Sequence, residues 1–131
     1  MRIQSLLNTP TLLLFHDPEC ACLYATWYPT PSPQATLANY QAILAQVRQT
    51  RSQRLLNDCL LDENGWQEAA HWIEDNCFKQ LAQAGLRTVA WVLPRQEEAM
   101  RDTQVLLQHT DGLLVDTFLD AESAYTWLRR W

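Results

Sequence analysis

The run Val89-Ala90-Trp91-Val92-Leu93, entered through Arg87 and Thr88 and stopped by Pro94, constrains this chain more than any other stretch. A strand this continuously apolar has no side to offer to water, so both of its faces must be covered, as happens in parallel sheets with helices packed against them. The flanking segments are helical in pattern. Gly85 ends the helical segment before the run, in the role of a left-handed C-terminal residue. After the run, Arg95 to about Gln108 is helical, with Glu97 and Glu98 placed to favour its first turn.

The rest of the chain falls in with such a sheet. Residues 1–10 form a mixed lead-in. Thr11 to His16 and Cys20 to Trp27 read as strands, joined through Asp17-Pro18-Glu19, which is turn chemistry. Strands joined this closely must run antiparallel. Tyr28 to Pro33 is a proline-rich connection. Ser32 is then placed as an N-cap, with Pro33 at the first helical position. The helix it opens runs to about Thr50, and Leu37, Tyr40, Ile43, Leu44 and Val47 recur at the spacing of one buried face. Arg54 to Asn57 is a short buried strand. It passes through the polar loop Asp58-Cys59-Leu60-Leu61-Asp62-Glu63-Asn64-Gly65 into a second helix, from about Trp66 to Ala84. Leu113 to Leu119 is the last strand, and Asp120 caps a final helix with the stripe Ala121, Ala124, Leu128 and Trp131. The order β-β-α-β-α-β-α-β-α predicts an α/β fold: an N-terminal β-hairpin, then alternating β/α units around a mixed, mostly parallel five-stranded sheet. At 131 residues the chain suits one core and one domain, residues 1–131.

Several stretches carry a resemblance. Leu55-Leu56-Asn57-Asp58, the Trp66 that opens the next helix, and Ala84-Gly85-Leu86 followed by Ala90-Trp91-Val92 belong together. So do Phe118-Leu119-Asp120 with Ala124 and Trp127-Leu128. With the element order, these resemble the uncharacterised bacterial proteins of the STAS/SpoIIAA-like group, over almost the whole chain. The resemblance implies a STAS-like regulatory or protein-interaction module without catalysis. Anti-sigma-factor antagonists of this class are similar to one another in an Asp-Ser pair at the start of the second helix, where a partner kinase phosphorylates the serine. Here the corresponding residues are Asp62-Glu63-Asn64-Gly65-Trp66, without Ser or Thr.

Composition narrows the function further. A net charge of −5 with a single lysine, Lys79, is the wrong balance for a nucleic-acid surface, which needs a basic patch. No stretch approaches the roughly 20 apolar residues of a membrane span. No secretory signal is visible either, since Leu12-Leu13-Leu14-Phe15 is too short and is closely followed by Asp17 and Glu19. Four cysteines in such a chain are expected to be reduced thiols in a cytoplasm.

The loop after the Arg54–Asn57 strand is where an open α/β sheet holds ligands or partners. Asn57, Asp58, Asp62, Glu63, Trp66, Trp72 and Phe78 are the candidate binding residues. Asp58, Asp62 and Glu63 could hold a divalent cation, but the preferred reading is that Asn57 and Asp58 bond the loop backbone and the carboxylates favour the N-terminus of the next helix. Cys20 and Cys22 share a strand face without the second ligand pair that a zinc site needs. Nothing basic in sequence stands near Cys59 to activate it, and His16, His71 and His109 lie in separate elements. No metal, cofactor or catalytic residue is therefore expected. At about 100° per residue, Trp72 and Phe78 fall outside the second helix's buried stripe, which suggests a contact surface and a two-fold homodimer. Trp127 is similarly offset on the last helix. A small apolar or lipid-like ligand held near Trp66 and Trp72 is the alternative, and a metal-dependent enzyme using residues 58–63 a third.

The segment from Asn57 to Trp72 contains no Ser, Thr or Tyr. Intact-mass measurement and peptide mapping of protein from its native host should therefore find no phosphate there. A stoichiometric phosphate mapped to this segment would remove the distinction from the phosphoswitch proteins.

Overall fold

Along the strand that ends at Trp27, Leu23, Ala25 and Trp27 face one side and Cys22 and Tyr24 the other. The inner strands of the sheet continue that alternation, so two cores form, one on each face. In the computed structural model, residues 3–30, 32–63, 77–108, 110 and 112–131 are described. Among them the elements run β1 (Gln4–Asn8), β2 (Leu12–Asp17), β3 (Cys22–Trp27), α1 (Pro33–Thr50) and β4 (Arg54–Asp58). There follow α2 (Phe78–Gln83), β5 (Thr88–Val92), α3 (Glu97–Leu106), β6 (Leu114–Phe118) and α4 (Ala121–Leu128).

The strands lie side by side in chain order in one six-stranded sheet. β1–β2 and β2–β3 are antiparallel, whereas β3–β4, β4–β5 and β5–β6 are parallel. The α/β class and the mostly parallel sheet are as expected, but the sheet has six strands rather than five. The addition is β1, in the stretch that reads only as a lead-in. Its residues are exposed or half-buried, so they lack the apolar alternation of a strand with one face in the core. Thr9 makes the turn after it, its backbone N–H donating to the Leu12 carbonyl at 3.0 Å.

On one face, Leu12, Leu14, Leu23, Trp27, Leu55, Val89 and Trp91 pack against α1, α2 and α3. On the other, Cys22, Leu56, Ala90 and Val92 pack against Ala124 and Leu128 of α4. The helix ends are fixed by local chemistry. Ser32 Oγ accepts from Ala35 N at 3.2 Å, Gln96 Oε1 from Ala99 N at 2.7 Å and Asp120 Oδ1 from Ser123 N at 2.7 Å. Each satisfies an N–H that has no partner within the helix. Gly85 has φ 107°, the left-handed turn expected of it after α2. Trp131 departs from its expected place. It lies beyond the end of α4 and is 57% exposed, because the chain leaves the helix at Arg129 before the stripe reaches it.

All five residues of β5 are buried, and Trp91 is 1% exposed with the Phe78 ring edge-on to it at 6.1 Å. Truncating a buried tryptophan removes its transfer energy and leaves a cavity. Trp91→Ala is therefore expected to destabilise by about 3–5 kcal/mol in chemical denaturation. A loss below about 1 kcal/mol would show that Trp91 is not held in the core as described.

Candidate functional site at the carboxyl end of β4

β4 runs Leu55-Leu56-Asn57, and Asn57 is 1% exposed on the same face as Leu55. An amide in an apolar core is costly unless its donors and acceptor are bonded. Trp27 Nε1–H donates to Asn57 Oδ1 at 2.7 Å. Asn57 Nδ2–H points to Cys59 Sγ at 3.6 Å. Tyr40, from α1, lies against the Trp27 ring at 5.2 Å. One amide thus ties the end of β3 to the end of β4, with the middle of α1 packed over the pair.

Beyond Asn57 the loop is held down by backbone. Cys59 N–H donates to the Val92 carbonyl at 3.1 Å, extending the β4–β5 ladder by one bond. Asp58 Oδ1 accepts from Leu60 N at 3.1 Å, which turns the chain, and Asp62 N–H returns to the Cys59 carbonyl at 3.0 Å. Arg95 N–H, just past β5, donates to the Leu60 carbonyl at 3.3 Å. Leu60, Leu61, Asp62 and Glu63 on one side, and Arg95 and Gln96 on the other, line an open cleft of about 350 Å³.

The electrostatics of the base oppose reaction there. Burial pushes the Cys59 thiol well above its ordinary value, and the neighbouring Asp62 and Asp58 push it further. A thiol so held is a poor nucleophile at neutral pH. Burial likewise raises the Tyr40 hydroxyl and the Asp58 carboxyl, the latter against the pull of the Leu60 N–H. Among the described residues, no group of three or more His, Cys, Asp or Glu is placed to hold a metal ion. The cleft combines the apolar side chains Leu60 and Leu61 with Asp62, Glu63 and Arg95.

The expected site residues separate. Asn57 lies in the core beneath the loop. Asp58, paired with Thr26 and Val92 in the sheet, faces the side of α4 and is half-buried. Asp62 is buried, and Glu63 is exposed. Trp66, Trp72, His71 and His109 lie outside the described residues. Phe78 is not at the surface: it is 1% exposed and packed on Trp91. Cys77, Phe78 and Leu81 all enter the core. Trp127 does lie off its helix's buried stripe, against Phe118 at 5.4 Å.

Trp27, Tyr40, Leu61, Arg95 and Gln96 belong to the site without a sequence signal of their own. A polar residue inside an apolar strand requires a buried partner, which calls for a residue such as Trp27 but does not say which one. Arg95 and Gln96 follow from topology, since β5 is the parallel neighbour of β4 and its exit must stand beside the loop. Compared with family models, curated proteins and solved structures, the chain matches none.

Cys22, Cys59 and Cys77 are at most 1% exposed, whereas Cys20 is only partly buried. Burial also raises the Cys22 thiol to about 12 and the Cys77 thiol further. Brief iodoacetamide treatment of the native protein is therefore expected to modify Cys20 first, with all four thiols reacting only in denaturant. Cys59 alkylated as fast as Cys20 would contradict this account of the loop's base.

Proposed function

We propose that the chain is a non-catalytic regulatory or protein-interaction module of STAS-like type that presents the loop after β4 to a protein partner in the cytoplasm. One observation carries this reading. The groups at the loop's base, Asn57, Cys59 and Asp62, are buried, while its crest is open, with Leu61 46% exposed beside the exposed Glu63. A surface apolar side chain framed by Glu63 and Arg95 on a firmly anchored loop suits a contact patch. Support for the STAS-like type comes from the opening hairpin, followed by β/α steps with parallel strands in chain order. The motifs Leu55-Leu56-Asn57-Asp58 and Ala90-Trp91-Val92 add to it. The partner is another regulatory protein or a second copy of this chain. A homodimer can no longer be built on Phe78, which lies in the core.

The runner-up is a small apolar or lipid-like ligand seated in the cleft. Leu60 and Leu61 on its wall favour it, as does a volume of about 350 Å³, which is at the lower end for small-molecule sites.

A photo-cross-linking residue placed at Leu61, in the native host, tests the proposal against the same residue at Gln41 on α1. Position 61 is expected to give a discrete protein adduct that falls at least tenfold when Arg95→Glu reverses the rim charge. Equal, diffuse labelling from both positions would reject the loop as a contact patch. A small molecule that co-purifies with the protein, seen by native mass spectrometry and lost on Leu61→Glu, would instead establish the runner-up.

A further inference from the structure

β6 is the last strand of the sheet, and among the described residues nothing pairs with its outer side. Leu114 N–H donates to the Arg87 carbonyl at 2.9 Å, and the Phe118 carbonyl accepts from Leu93 N–H at 2.9 Å. Residues of a parallel strand alternate in the side to which their backbone groups point. Leu114, Asp116 and Phe118 therefore turn theirs toward β5, and Val115 and Thr117 turn theirs outward. A row of outward N–H and C=O groups is complementary to an extended chain.

The side chains along this edge say what kind of chain. Thr88, Ala90 and Val92 are the ladder partners of Leu114, Asp116 and Phe118, and Ala90 and Val92 belong to the α4-side core. The three β6 side chains therefore lie on that face. Leu114 is 44% exposed and Leu119 71%. Trp127 stands 5.4 Å from Phe118 and 5.8 Å from Trp131, giving an aromatic wall beside the strand. Asp116 is the charge at the centre of the edge, and its Oδ1 accepts from the N–H of Thr117 at 2.9 Å, covering one of the outward donors.

A second copy is a poor occupant. Two β6 strands paired antiparallel in full overlap would set Asp116 against Asp116 at a non-hydrogen-bonded position, where Cα atoms are about 4.5 Å apart. Like charges directly opposite are destabilising, and opposite charges there are stabilising. We propose that the β6 edge receives an extended segment of another protein, antiparallel to β6, with a Lys or Arg opposite Asp116. Apolar residues two positions to either side then meet Leu114 and Phe118. The incoming cation engages the Asp116 carboxylate and frees the Thr117 N–H for the backbone of the added strand. This surface is separate from the loop after β4 and stands or falls independently of it.

The probe is the capped peptide Ser-Val-Thr-Lys-Thr-Val-Ser, compared with its counterpart carrying Glu in place of Lys, with amide hydrogen exchange read by NMR. At about 1 mM, a concentration that reveals even weak binding, the Lys peptide is expected to slow exchange at Val115 and Thr117 at least tenfold. The Glu peptide is expected to leave both unchanged. Asp116→Lys should reverse the preference, and Asp116→Asn should abolish it, both with unaltered denaturation midpoints. Failure of both peptides to protect these amides would overturn the proposal. So would a preference that survives Asp116→Lys, or a Val115 amide already protected in the free protein, which would mean that a second copy occupies the edge.

Discussion

The hydrogen bond from Trp27 Nε1 to Asn57 Oδ1, 2.7 Å long and buried, spans the one place where the sheet changes character. β3 pairs antiparallel with β2 on one side and parallel with β4 on the other. The hairpin half can form from local contacts, but the β3–β4 pairing must wait for the long α1 crossover to close. A polar group inserted at that junction penalises every register that leaves it unpaired, because a buried amide without partners is more costly than an apolar side chain in its place. Tyr40 of α1 packs on the Trp27 ring at 5.2 Å, so the helix that makes the crossover is in contact with the junction it bridges.

The loop after β4 inherits this anchoring. Asn57 is held in the core, Cys59 adds a rung to the β5 ladder, and Arg95 bonds the Leu60 carbonyl. Leu61 and Glu63 then project from a base that has little freedom. Near them, burial raises the Cys59 thiol well above its ordinary value and raises the Asp58 carboxyl. The same sheet ends in a different way at β6. There, among the described residues, no strand lies on the outer side, and Asp116 is the charge at the centre of that edge.

Much of this arrangement is legible in the sequence. The apolar run of β5, the cap at Ser32 and the stripe Tyr40, Ile43, Leu44 and Val47 each have a local cause, and each lies where its pattern places it. β1 was hidden because an exposed edge strand needs no apolar alternation. Phe78 lies in the core, packed on Trp91, where an even helical step does not place it. Asn57 stands out as a polar residue in an apolar strand, yet its partner Trp27 is brought to it by the crossover. The cleft beside Arg95 and Gln96 likewise exists only once β4 and β5 are neighbours. Long-range pairing, not local propensity, makes the site.

A double-mutant cycle on Trp27→Phe and Asn57→Leu, read by chemical denaturation, tests the junction most directly. Each single change leaves one buried polar group without its partner, and the double change leaves neither. The two losses should therefore fail to add, with a coupling of about 1–3 kcal/mol and a double mutant less destabilised than the sum. Losses that add to within about 0.5 kcal/mol would show that the pair is incidental and that packing alone sets the junction of β3 and β4.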